Sequence, residues 1–207
     1  MKRHFAFAFA ALALAGTTVF AAPATYKIDS SHSSATFKVR HMMISNVSGE
    51  FSTVTGTLKG DLSSPQTASV EASVDVSTVN TREPKRDGHL KSPDFFDVAK
   101  NPTMTFKSKK IAVASPGKLK MLGDLTMRGV TKEVMFDVDG PTPETKDPWG
   151  NTRVGASATA TINRQDFGLT WNKTLDTGGV LVGDQVSITI DVEFVKEVPP
   201  PADSPKK

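Results

Sequence analysis

The chain has 207 residues, no cysteine, and 25 Lys plus Arg against 22 Asp plus Glu, a formal net charge of +3 at pH 7. The absence of cysteine excludes a disulfide framework and thiol chemistry, so stability rests on burial and backbone pairing. So small a basic excess does not point to nucleic acid or to an anionic membrane.

The first residues read as an address. Lys2, Arg3 and His4 precede an unbroken apolar run, Phe5 to Ala15. Small residues follow, with Val19 and Ala21 placed before a cleavage site, the pattern of a secretory signal peptide. The run is shorter than the roughly 20 residues a membrane-spanning helix needs. Residues 1–21 are therefore expected to be a signal peptide, with a cut after Ala24 as the alternative, and the mature protein is expected in the periplasm or secreted. That mature chain carries a net charge of about +1 and is long enough for one domain with a substantial core.

Beyond residue 25 the dominant pattern is alternation with period two, the mark of strands with one apolar face. Phe37, Val39, His41 and Met43 share one parity. Phe51 to Leu62 follows as a strand segment, and Val70, Ala72, Val74 and Val76 form the next stripe. Thr81 to Asp97 is the one helical stretch, expected as two short turns because Pro84, Gly88 and Pro93 interrupt it. Met104 and Phe106, then Lys109 to Ala114, read as two short strands. Leu119 to Met127, Val134 to Val138, Val154 to Ile162 and Val186 to Phe194 alternate again. Turns fall at Pro116-Gly117, Arg128 to Val130 and Asp147 to Asn151. Residues 197–207, rich in proline and charge, read as a disordered tail. At least eight strands with short links predict an all-β sandwich or closed antiparallel barrel.

A small barrel is either packed solid by its own side chains or holds one ligand. Ala156, Ala158 and Ala160 in a row, Ala72, and Gly123 in mid-stripe supply little volume. Five phenylalanines, Phe37, Phe51, Phe106, Phe136 and Phe167, could fill the difference. Packing alone leaves solid and hollow interiors both open.

Four segments resemble the YceI-like family: "YKIDSSHSSATFKVRHM" from Tyr26, "VNTREPKRDGHLKSPDFFDVAKNPTMTFKS" from Val79, "GDLTMRGVTKEV" from Gly123 and "NRQDFGLTW" from Asn163. They occur in order and span nearly all of residues 25–196. The resemblance implies a single extended, eight-stranded, lipocalin-like antiparallel β-barrel with a short helical insertion. It also implies a polyisoprenoid or similar long-chain amphiphile bound inside, and no established catalysis.

On that reading the tail-lining residues are Phe37, Val39, Phe51, Val74, Val76, Met104, Phe106, Leu125, Phe136, Ile162, Ile188 and Ile190, all at inward parity. A register slip by one would turn any such stripe to the other face. Arg86, His89, Lys91 and Phe96 are expected at a mouth beneath the insertion, where Arg86 could grip a head-group oxygen or pair structurally. His32, His41 and His89 share no short ligand spacing, so no metal is expected. Nor is a cofactor, for neither a nucleophile elbow nor a phosphate loop occurs. The expected partner is an isoprenoid or other apolar lipid, without nucleic acid or a membrane span; a homodimer stays open. Two rivals remain: an enzyme acting on such a lipid through His41 or His89, and a solid-core scaffold protein.

Overall fold

In the computed structural model, residues 23–176 and 178–198 are described. The expected signal peptide (1–21) and the expected tail beyond residue 198 lie outside them. The strands are β1 (Ala24–Ile28), β2 (Ser34–His41), β3 (Ser45–Phe51), β4 (Val54–Gly60), β5 (Ser69–Asp75) and β6 (Val79–Asn80). After helix α1 (Pro84–Lys91) come β7 (Thr103–Ser115), β8 (Lys118–Met127), β9 (Val130–Asp139), β10 (Thr145–Lys146), β11 (Thr152–Asn163) and β12 (Val182–Lys196).

Pairing reduces these to eight staves. β1 and β2 lie in succession along one edge of β12, with Ile28 opposite Phe194 and Ser34 opposite Asp191. β3 and β4 then flank β2 and β1, and β6 and β5 flank β3 and β4. Each of these three staves is one long strand with a break. Tight turns make two of the breaks: Asp29 accepts from the Ser31 N–H at 3.1 Å, and Asp75 from the Ser77 N–H at 2.8 Å. β7, β8, β9 and β11 continue the meander, and β11 pairs with the free edge of β12 from Arg153–Val195 to Asn163–Gln185. The ring is closed, antiparallel and without an exposed barrel edge.

The alternating stripes form these strands because one face is buried in the ring and the other is wet. Three departures from the sequence expectation have local causes. The two short strands around Lys109 are one, β7; a register shift between Ser108 and Lys110 breaks the alternation that would have joined them. Pro84 starts the helix instead of breaking it, since the first turn needs no N–H there, and Gly88 sits where an added Cβ would touch nothing within 4 Å. Met43 leaves the stripe of Phe37 because β2 ends at His41 and the hairpin turns through Met42 and Met43 at φ 50° and 62°. Gly56 has no such freedom of replacement: at φ 155° a Cβ would fall 2.2 Å from the Glu71 carbonyl oxygen of the neighbouring stave.

The barrel has two unlike ends, about 30 Å apart along a ten-residue strand such as β9. One carries the loops after β4, β7 and β9. The other carries the β2–β3 turn, the insertion with α1, the Arg128-Gly129 turn and residues 164–181. Arg128 seats the insertion there, donating from Nη2 to the Pro93 carbonyl at 2.8 Å and from Nη1 to that of Gly168. Arg164, only 3 % exposed, ties the 164–181 loop together through carbonyls of Leu169, Trp171 and Gly183.

Candidate functional site

The barrel interior holds a cavity of about 170 Å³. All eight staves contribute to its wall, and of 27 lining residues only Thr105 is polar. Room for a water takes roughly 10–15 Å³, but a water also needs two or more polar partners, which this wall lacks. The space is suited to hydrocarbon.

Ala156 and Ala158 of β11 and Ala72 of β5 line the cavity, as their small volume suggested. Gly123 does not hollow the barrel. The Phe106 ring lies across it, so that a Cβ on Gly123 would fall 2.4 Å from Cζ, and meets Phe136 edge-on at 5.2 Å. The interior is thus part filled and part open.

Of the twelve residues expected at the wall, Val74, Met104, Phe106 and Leu125 are there, with Phe136, Ile188 and Ile190. Phe37, Val39, Phe51, Val76 and Ile162 stand off it. Phe51, Val76 and Ile162 are buried between the cavity and the insertion end, or beside it, in continuous packing. The wall also includes Ile111, Leu119, Met121 and Val138, which share strand segments already visible in the sequence; Leu62, expected at the end of a strand but lying past the end of β4 at Gly60; and Pro65 and Pro141, which carried no periodic signal.

None of Arg86, His89, Lys91 and Phe96 lines the cavity. Arg86 donates from Nε to Thr81 Oγ1 and from Nη2 to the Thr81 carbonyl, both at 2.8 Å, while Asp87 accepts from the Thr81 N–H at 2.8 Å. These bonds fasten α1 to a buried threonine. His89 Nε2 lies 2.8 Å from Asp94, with its ring edge-on to Trp171 and Phe95 at 4.7 and 5.0 Å. Lys91 is half-buried on α1, and Phe96 is buried with its ring edge-on to Phe51. The cavity extends to Leu62, Pro65 and Pro141, at the opposite end.

That opposite end carries the main charge cluster. Arg153 donates to Asp29 at 2.7 Å, to Asp147 at 2.8 Å and to Glu193. Burial alone would raise the Asp147 pKa. Hydrogen bonds from Arg153, the Asn151 side chain and the Asn151 and Trp149 N–H groups outweigh it and bring the pKa down to about 2. The Asp29 carboxyl is also held low, by Ser31, Arg153 and His32. Both folded pKa values lie below the unfolded one, so this stabilisation is present at neutral pH and is lost as pH falls through the folded values. We expect Arg153→Met to melt below wild type at about pH 6 and the gap between them to narrow toward about pH 2. A gap independent of pH in thermal melts would contradict this account of the cluster.

Asp29, His32 and Glu193 bring three potential ligand atoms within 4.8 Å of one another, the one such grouping among the described residues. Arg153 already pairs with two of these three, Asp29 and Glu193. Ser31, His32 and Asp29 also resemble a hydrolytic relay, but Ser31 Oγ at 3.2 Å and Asp29 Oδ2 at 2.9 Å face the same ring nitrogen, Nδ1. A relay uses the two nitrogens separately.

The chain is thus a closed, eight-stranded, lipocalin-like barrel with an apolar interior. A model of the YceI-like domain matches residues 26–194, and the chain belongs to the YceI-like family. It is 36% identical over 170 residues to a UPF0312 protein of Staphylococcus aureus (strain N315), covering 82% of this chain and 96% of that one. The crystal structure of a Campylobacter jejuni YCEI protein superimposes with a TM-score of 0.65 at 32% identity, over 78% of this chain and 91% of that chain. A polyisoprenoid binding domain from Saccharophagus degradans shares the fold, with a TM-score of 0.61 at 14% identity over 83% and 98% of the two chains. No helix among the described residues is long and apolar enough to cross a membrane.

Proposed function

We infer that the protein carries or stores a polyisoprenoid or similar long-chain lipid in its barrel and catalyses no reaction, acting in the periplasm or outside the cell once residues 1–21 are removed. The observation that carries this reading is the wall: one polar residue among 27, drawn from every stave. Such a wall rewards hydrocarbon at roughly 25 cal/mol per Å² removed from water and asks for no polar match. The polyisoprenoid binding domain of like fold supports the same ligand class. The polar end of the lipid belongs at the end of Leu62, Pro65 and Pro141, which the cavity reaches, whereas Arg86 is engaged by Thr81 and His89 by Asp94.

The test is organic extraction of protein purified without detergent, followed by mass spectrometry. A long-chain lipid in amounts comparable to protein is expected. An extract with no apolar guest would contradict the reading.

A further inference from the structure

We propose that Phe51, backed by Phe96, plugs the barrel behind the cavity-wall residues Ala35 and Val54 and so sets the longest hydrocarbon tail the barrel accepts. This rests on the reading that the barrel holds such a tail. Three observations converge on Phe51. First, it lies directly across the strand pair from Ala35, a wall residue, and three positions before Val54, another. Second, it is itself 4 % exposed yet does not line the cavity. Third, it is the middle ring of three: Phe37 lies 5.6 Å away and Phe96 meets it edge-on at 5.7 Å.

The stack leaves no slack on either side. The Phe37 ring rests on Gly49 so closely that a Cβ there would fall 2.4 Å from Cζ. Phe96 is fixed from behind, because the chain after α1 folds back on the helix: Phe96 N–H donates to the Leu90 carbonyl at 3.0 Å and Val98 N–H to that of Lys91 at 3.1 Å. A tail entering past Leu62 and Pro141 therefore runs along Leu119, Val138 and Ala158 and stops at the part of the wall, Ala35 and Val54, that the aromatic stack backs. Methylenes look alike to the side walls, so chain length is the property this geometry can discriminate. A unit too long for the cavity must stay in water or displace a ring that has nowhere to go.

The experiment offers delipidated full-length protein a ladder of polyprenols from geraniol upward, in competition, and measures retained lengths by mass spectrometry. Wild type is expected to show a sharp upper length. Phe51→Ala opens the space in front of Phe96 and should raise retention of the next longer polyprenol at least about tenfold, since an added isoprene unit buries several methylene equivalents. Phe51→Leu, which keeps most of the core volume, should shift the limit in the same direction by less, and decides the matter if Phe51→Ala fails to fold. Should wild type retain no polyprenol of any length, the lipid-binding reading itself falls. If wild type retains them with the same upper limit as both folded variants, or as Phe51→Leu alone, the plug lies elsewhere and this inference is wrong.

Discussion

Arg164→Met should cost about 3–5 kcal/mol of stability, a Tm lower by roughly 10 °C, while leaving the strand spectrum of the folded protein intact. The reason is the company the guanidinium keeps. Its Nε donates to the Gly183 carbonyl at 2.9 Å and its Nη1 to those of Trp171, at 3.0 Å, and Leu169. Asp184 supplies the countercharge at 3.3 Å. Burial disfavours the charged form and lowers the Arg164 pKa, against the pull of Asp184. Methionine removes the cost of burying the charge but strands three inward carbonyls, each a loss of about 1–3 kcal/mol when unpaired. A loss under about 1 kcal/mol would mean that water replaces the guanidinium and that the 164–181 loop is not held as described.

Ala158→Phe should empty the barrel without unfolding it. Ala158 sits mid-stave on β11, opposite Val138 on one side and Ile190 on the other, and all three line the cavity. A ring there competes with the lipid tail for the same space. Each methylene expelled forfeits about 0.8 kcal/mol, so the loss of two already lowers retention more than tenfold. Overpacking a filled core costs about 1–3 kcal/mol, but here the ring enters open space, so the Tm should move by only a few degrees. Thr159→Phe is the control: one residue on, it faces outward and should keep its lipid. Equal lipid in extracts of folded Ala158→Phe and wild type would place the guest outside this cavity.

Much of this was legible in the sequence, and the exceptions are physical. The strands were legible because a closed ring buries one face of each, and Val186 to Phe194 or Val154 to Ile162 show that face directly. The hollow was only half legible. Phe51 and Phe136 have the same parity and the same chemistry, yet one plugs the barrel and the other lines its opening; only the registers and the Phe96 contact from a distant segment separate them. The residues expected at a mouth do not line the cavity, although basic residues near a helix look available for a head group. What engages Arg86 is Thr81, a residue of no special appearance, with its carbonyl turned toward the helix. Pro65 and Pro141 were invisible as lining because loops have no period.

Everything here turns on whether an apolar guest occupies the space between β11, β12 and the staves facing them. The direct measurement is a crystal structure of protein purified from its own cell envelope without detergent. Continuous elongated density should run from Pro141 past Ala158 and Leu119 and end at Ala35 and Val54, which Phe51 backs. Side chains closed over that path, with no density between them, would refute the account.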